Sequence, residues 1–185
     1  GEVQVLGVTK RGDAGTETIN SAIHKLVAAD HPSLPGWGFA ETEPVIHLVN
    51  DYDRDLFNGS LGRIRRILPS LAEGGPARQA IECEFDGVLH RFAEDSLDRI
   101  ELAHAITVHK AQGSQFRRVI IPVVHSRLLD RTLVYTGLTR AVDQVVFVGD
   151  RRALVAAIEA PPRSQQRMVG FRLEEPGDSR RLCLP

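Results

Sequence analysis

The stretch AITVHKAQGSQF, residues 105–116, stands directly before RVIIPVV, residues 118–124. The second is a near-continuous run of branched apolar residues, the pattern of a strand buried on both faces of a parallel sheet. The first packs a threonine, a histidine, a lysine, two glutamines and a Gln-Gly-Ser turn into one connection. Working outward, buried strands and polar connections keep alternating. VQVLGV (3–8) is a short apolar strand followed by the glycine-punctuated loop KRGDAG (10–15). TETINSAIHKLVAAD (16–30) places Ile19, Ala22, Ile23, Leu26 and Val27 at helical spacing. PVIHLV (44–49) is a second strand, RLLDRTLVYTGLTRAV (127–142) is helical, and QVVFVG (144–149) is another buried strand. DRRALVAAIEA (150–160) is a last helix with Asp150 as its N-cap. Strands alternating with helices predict an α/β fold with a parallel sheet.

Between Asn58 and Ile100 the character changes to short β segments. GRIRRIL (62–68) comes first, then a glycine-rich loop AEGGP (72–76), then AIECEFDGVLHRFA (80–93). The last reads as a hairpin on the turn dipeptide Asp86-Gly87, which sets Phe85 opposite Val88, Cys83 opposite His90 and Ile81 opposite Phe92. A hairpin alone is marginal, so this region is expected to close a small β-barrel inserted at 59–99.

Composition excludes several classes. With 42% hydrophobic and 25% charged residues the 185-residue chain is that of an ordinary globular protein. No apolar run approaches the ~20 residues of a membrane span, and no signal peptide opens it. Cys83 and Cys183 lie far apart, with no metal-binding spacing among the cysteines and histidines, so no metal site and a reducing cytoplasm are expected. The net charge of −1 does not advertise a nucleic-acid binder, but a channel needs positive charge only locally. The single methionine is Met168, so the chain does not open on a translation start and is expected to be a fragment.

Three polar segments flank the α/β core, KRGDAG, AITVHKAQGSQF and VYTGLTRA, and ligands bind at strand ends in open parallel sheets. Taken together, TVHKAQGSQF before an apolar strand and YTGLTRA before VVFVGD resemble the last two sequence motifs of superfamily 1 helicases. VLGVTKRGDAGTETIN and NDYDRDLFNGSLG narrow the resemblance to the RecD-like, 5′-to-3′ branch, over about residues 3–158.

The resemblance implies the second of two RecA-like (P-loop NTPase-type) domains, formed by 1–58 and 100–160. A small Src-homology-3-like barrel at 59–99 and a tail at 161–185 complete the expected organisation. In that family ATP, with Mg²⁺, lies in the cleft between the two domains, and single-stranded DNA crosses the top. By analogy Thr107 and His109 face DNA, where hydroxyl and imidazole can donate to phosphate oxygens. Gly113 and Gln115 approach the nucleotide. The family often has glutamate at the Gln115 position, and an amide keeps the hydrogen bond to a ribose without the charge. Arg140 matches the arginine that reaches the γ-phosphate; comparable fingers contribute ~10³–10⁵ in rate. Lys10 or Arg11 is expected to add positive charge near the phosphates, although a solvated loop pair explains both equally.

Asn58-Gly59 resembles the strand-to-barrel junction. Tyr52 is a candidate for stacking on bases, whereas Phe57 is expected in the core. Where this chain has His47 and Val49, the family often carries glutamine and a basic residue. Arg63, Arg65 and Arg66 fit either a phosphate backbone or a solvated strand face.

No GxxxxGK[ST] and no Gly-Lys pair occur, so the phosphate loop and any acidic Mg²⁺-holding motif are expected on an upstream RecA-like domain. The reading is a motor-domain fragment of an ATP-dependent DNA helicase, inactive alone, with nuclease or helicase subunits as further expected partners and no membrane partner. The helicase half of a conjugative relaxase, or a non-catalytic DNA-binding subunit, are the alternatives.

Overall fold

Val3–Gly7 (β1) is apolar enough to be covered on both sides, and the loop and Thr16–Asp30 helix (α1) that follow return the chain across the sheet. The computed structural model describes residues 3–34, 36–68 and 80–161. The AEGGP loop and the tail from 162 onward, with Met168 and Cys183, lie outside them. After α1 come the two-residue strands Ser33–Leu34 (β2) and Phe39–Ala40 (β3), then Pro44–His47 (β4), Leu61–Leu68 (β5), Ala80–Phe85 (β6), Val88–Ala93 (β7) and Ile100–Leu102 (β8). Ala105–Thr107 (β9), Phe116–Val123 (β10), helix Arg131–Leu138 (α2), Ala141–Gly149 (β11) and helix Arg151–Glu159 (α3) complete the order.

The α/β expectation holds. β11, β10, β1 and β9 form a parallel sheet in that order, with Val5 level with Ile120 and Ala105, and Ile120 level with Val146. Leu6, Val119, Ile121 and Val123 are buried with Leu133 and Val134 of α2 and Ala153 and Ala157 of α3. Helix α3 begins as expected, since Asp150 accepts hydrogen bonds from the Arg152 and Ala153 amides at 2.8 and 3.2 Å.

Three expectations change. Pro44–His47 is a strand, but it takes no place in the parallel sheet. It pairs antiparallel with β5 and β8 in a five-stranded sheet ordered β7-β6-β5-β4-β8, so that sheet reaches beyond 59–99 on both sides. Helix α2 covers only 131–138, because Asp130 caps it, accepting from the Leu133 amide at 2.8 Å, and Ala141 already pairs with Phe116 in the sheet. Helix α1 is turned so that Ala22 and Leu26 face outward, Leu26 73% exposed, while polar Asn20 and His24 point inward. Asn20 holds β9, donating to the carbonyls of Leu102 and Ala105 and accepting from the Ala105 amide at 2.8 Å.

The Asp86-Gly87 hairpin has the expected register, and both turn residues have positive φ, 48° and 82°, as a type I′ turn requires. β4 is a shared wall: Ile46 packs into the parallel-sheet core, while Val45 faces Ile64, Phe85 and Phe92 in the antiparallel one. Beneath this junction the fully buried Glu43 carboxylate accepts from His24 at 3.0 Å, His104 at 3.1 Å and the Ala40 amide at 2.7 Å. Burial by itself would raise its pKa, but the hydrogen bonds from His104, His24 and Ala40 outweigh it and hold the carboxyl below the usual range. No helix among the described residues is long and apolar enough to cross a membrane.

Candidate functional site

The connection from β9 to β10 runs the full height of the sheet. It leaves Thr107 level with Gly7, at the C-terminal edge of β1, and enters β10 at Phe116, below the level where Arg118 faces Val3. Six residue steps of a strand make this roughly 20 Å. Val108 and Ala111 pin the segment to the core, and turn hydrogen bonds from the Ala111, Gln112 and Ser114 amides fix its path. One polar connection therefore presents two clusters at opposite edges of the sheet.

At the C-terminal edge stand Thr107, His109 and Lys110. Thr107 Oγ1 accepts from the Lys110 amide at 3.3 Å, and His109 is exposed. Thr107 and Lys110 share a 410 Å³ cleft with Lys10, Trp37 and Glu101, between α1 and the antiparallel sheet. His109 opens instead onto a 220 Å³ depression with Gln112, Asp130, Thr132 and Thr136. Gly59 places the 50–59 segment against this edge, since a Cβ there would come 4.0 Å from the Lys110 carbonyl. On that segment Asn58 is exposed and its amide donates to Asn50 at 2.9 Å. Tyr52 is 77% exposed and meets Phe57 edge-to-face at 6.2 Å between centroids. Phe57 is 46% exposed, so it belongs to this outward-facing aromatic pair and not to the core.

At the N-terminal edge, Arg140 precedes β11. Its guanidinium donates to the carbonyls of Thr136 and Ser114 and to Thr139 Oγ1, each at 3.3 Å, and no carboxylate among the described residues pairs with it. The Arg140 carbonyl accepts from the Phe116 amide at 2.8 Å. Arg140 is thus fastened to the segment bearing Gly113 and Gln115. Gly113 has φ +88° and open space where a Cβ would stand, so backbone can be approached closely there. A positioned guanidinium with only neutral partners among the described residues, beside an open glycine, suits a phosphate-bearing nucleotide. Among the described residues no group of three metal-ligating side chains is set to hold a metal ion.

Lys10 and Arg11 do not join that cluster. Lys10 lies at the opposite edge, 3.6 Å from Glu101, and Arg11 lies 3.9 Å from Glu17. The KRGDAG loop is not a phosphate cradle either, because the first amides of α1 are taken by the carbonyls of Thr9 and Lys10, both at 3.0 Å. Among the β5 arginines, Arg65 is committed to Glu84 through two hydrogen bonds of 3.0 Å. Lys110, Glu101 and Trp37 were missed as site residues. Lys110 stood beside His109 in the quoted stretch, whereas nothing local marks Glu101.

Known proteins resemble this chain in sequence and fold. Residues 102–148 match the UvrD-like helicase C-terminal domain. The ATP-dependent RecD2 DNA helicase of Deinococcus radiodurans is 36% identical over 83% of this chain and 21% of its own length. The RecBCD enzyme subunit RecD of Mycolicibacterium smegmatis is 34% identical over 92% of this chain and 29% of its own. The chain therefore spans less than a third of the length of these relatives. Among solved structures, Bacteroides Pif1 helicase in complex with ADP-AlF3 and single-stranded DNA superposes with a TM-score of 0.55 at 17% identity, over 88% of this chain and 43% of the other. A structure of two Pif1 helicases at forked double-stranded DNA gives a TM-score of 0.59 at 19% identity, covering 89% and 43%. These similarities establish the shared fold.

Proposed function

From a chain that belongs to the RecD-like branch of superfamily 1 helicases, we infer the second motor domain of an ATP-driven, 5′-to-3′ DNA helicase that acts in the cytoplasm. The observation that carries the reading is the single connection 107–116, which joins an edge bearing half-buried Thr107 and exposed His109 to an Arg140–Gly113–Gln115 edge. A structural loop would have no need to hold a guanidinium without a counter-charge among the described residues at one end and a cluster of hydrogen-bond donors at the other.

Single-stranded DNA lies along the C-terminal edge. Thr107 and His109 donate to its phosphates, Asn58 lines the path, and the exposed Tyr52–Phe57 pair offers a stacking surface. The antiparallel sheet is read as the inserted small barrel, rooted on β4 and β8. At the other edge Gly113 and Gln115 border the nucleotide, and Arg140 reaches out to it. ATP, held with Mg²⁺ by an upstream RecA-like domain, supplies the phosphoryl group whose transfer drives stepping. Arg140 acts by placing positive charge where the equatorial oxygens accumulate negative charge. Val108 and Ala111 anchor the connection in the core between its two ends. Partner subunits of a nuclease complex fit the same reading.

The test is single-strand-stimulated ATP hydrolysis by the longer parent protein, wild type against Arg140→Ala, with nucleotide affinity measured alongside. Turnover is expected to fall by ~10² or more while nucleotide still binds, and the 185-residue chain alone is expected to hydrolyse nothing. Equal turnover by the two parents would remove Arg140 from the site.

A further inference from the structure

At the mouth of the 410 Å³ cleft two lysines share one carboxylate. Lys110 Nζ lies 2.9 Å from Glu101 Oε2 and Lys10 Nζ lies 3.6 Å from Glu101 Oε1. The three come from different places: the loop after β1, the connection after β9, and β8 of the other sheet. Their side chains are 50% (Lys10), 25% (Lys110) and 47% (Glu101) exposed, so the pairs are wet, weak and easily exchanged. Burial alone would raise the Glu101 pKa, but Lys110 and Lys10 outweigh it and keep the carboxyl below its usual range, fully ionised at neutral pH. Around them stand Arg11, Glu17 and Asp98, so three cations face three anions and the mouth is locally neutral.

Lysines gathered beside Thr107 would be expected to hold a backbone phosphate, yet their charge is partly cancelled by a half-exposed carboxylate on β8. We propose that Glu101 is a built-in competitor for the phosphodiester backbone of the single strand: phosphate displaces the carboxylate from Lys10 and Lys110, and Glu101 thereby sets the affinity and salt dependence of binding. The proposal rests on the single-strand reading of this edge. It adds two phosphate-binding residues and the group that tunes them, and it moves Lys10 from the nucleotide to the strand.

The experiment titrates a fluorescein-labelled oligothymidylate with the 185-residue chain, from about 0.1 to about 1 M salt. Each single-strand phosphate neutralised steepens log K against log salt by about 0.7, which over one decade of salt is about 5-fold in affinity. Glu101→Gln is therefore expected to bind about 5-fold tighter at the lower salt, converging with wild type at the higher, and Glu101→Thr, suited to a strand, should repeat this. In a Lys10→Gln/Lys110→Gln background, binding weakens and Glu101→Gln has no further effect. A Glu101→Gln protein that binds no tighter than wild type, or whose gain survives without the lysines, overturns the proposal. If neither wild type nor any variant binds with salt dependence, the single-strand reading itself fails and takes the proposal with it.

Discussion

His47 on β4 is fully buried, yet among the described residues neither ring nitrogen has a hydrogen-bond partner. Its neighbours are Phe85 and Phe92, with ring centroids 6.1 and 5.8 Å away. Burying a polar group without a partner costs about 1–3 kcal/mol. Leucine is close to imidazole in volume and can fill the same aromatic cage. His47→Leu is therefore expected to stabilise the chain by about 1–2 kcal/mol after some loss to imperfect repacking, a rise of about 2–8 °C in Tm for a chain of this size. A pH signature distinguishes desolvation from packing. Burial pulls the His47 pKa below 6.5; the Val49 backbone, close by but outside hydrogen-bond geometry, and the Asp51 charge oppose this, while Arg99 and Arg54 add to it. A folded pKa below the unfolded one means that the unfolded chain takes up the proton first. Stability is then lost as pH falls below the unfolded value and down to the folded one. The advantage of His47→Leu should widen between about pH 7.5 and about pH 5.5. Urea unfolding followed by circular dichroism at both pH values measures it. A destabilised His47→Leu, or an advantage that stays constant with pH, would refute the reasoning.

Glu43 carries the same sign in a more acidic window. Its depressed pKa contributes stability above the usual carboxylate value of 4.5 that is lost as pH falls through the folded value. Glu43→Ala strands His24, His104 and the Ala40 amide, and is expected to cost about 3–5 kcal/mol, with Glu43→Gln milder, both read by urea unfolding at neutral pH. Gly15 has ordinary negative φ, but a Cβ there would come 2.5 Å from the Lys10 carbonyl oxygen and 2.6 Å from the Arg11 carbonyl carbon. Gly15→Ala should therefore displace the Lys10 loop and weaken oligothymidylate binding more than Ala14→Gly does, and equal binding by the two would contradict it.

Much of the fold was legible because its signals are local. The hairpin register follows from Asp86-Gly87 and the alternation around it, and α3 from Asp150 and the apolar spacing after it. What periodicity reports is that a side chain is buried, not against what. PVIH reads as a strand in any sheet; its place beside β5 and β8 is decided by pairings up to 57 positions away, such as Val45 with Leu102. The helix α1 stripe held at Ile19, Ile23 and Val27 and failed at Ala22 and Leu26 for a related reason. Asn20 and His24 look like solvent residues until the Ala105 backbone and Glu43 supply their partners, and these inward polar groups rotate Leu26 out.

The site divides along the same line. Motif residues contiguous in sequence, Thr107 to Gln115, could be recognised together, but the sequence lists them without showing that the sheet separates their ends by roughly 20 Å. That separation reassigns Lys10. By sequence it is a basic residue after a strand, equally suited to either ligand. By structure it lies with Lys110 at the edge away from Arg140, and it shares a carboxylate contributed by the other sheet. Glu101 is invisible to motif reading because its importance is relational: it is an ordinary exposed strand glutamate until folding brings two lysines from two loops onto its oxygens. Residues of this kind, which set how strongly a motif acts without belonging to it, are found only after the chain is folded.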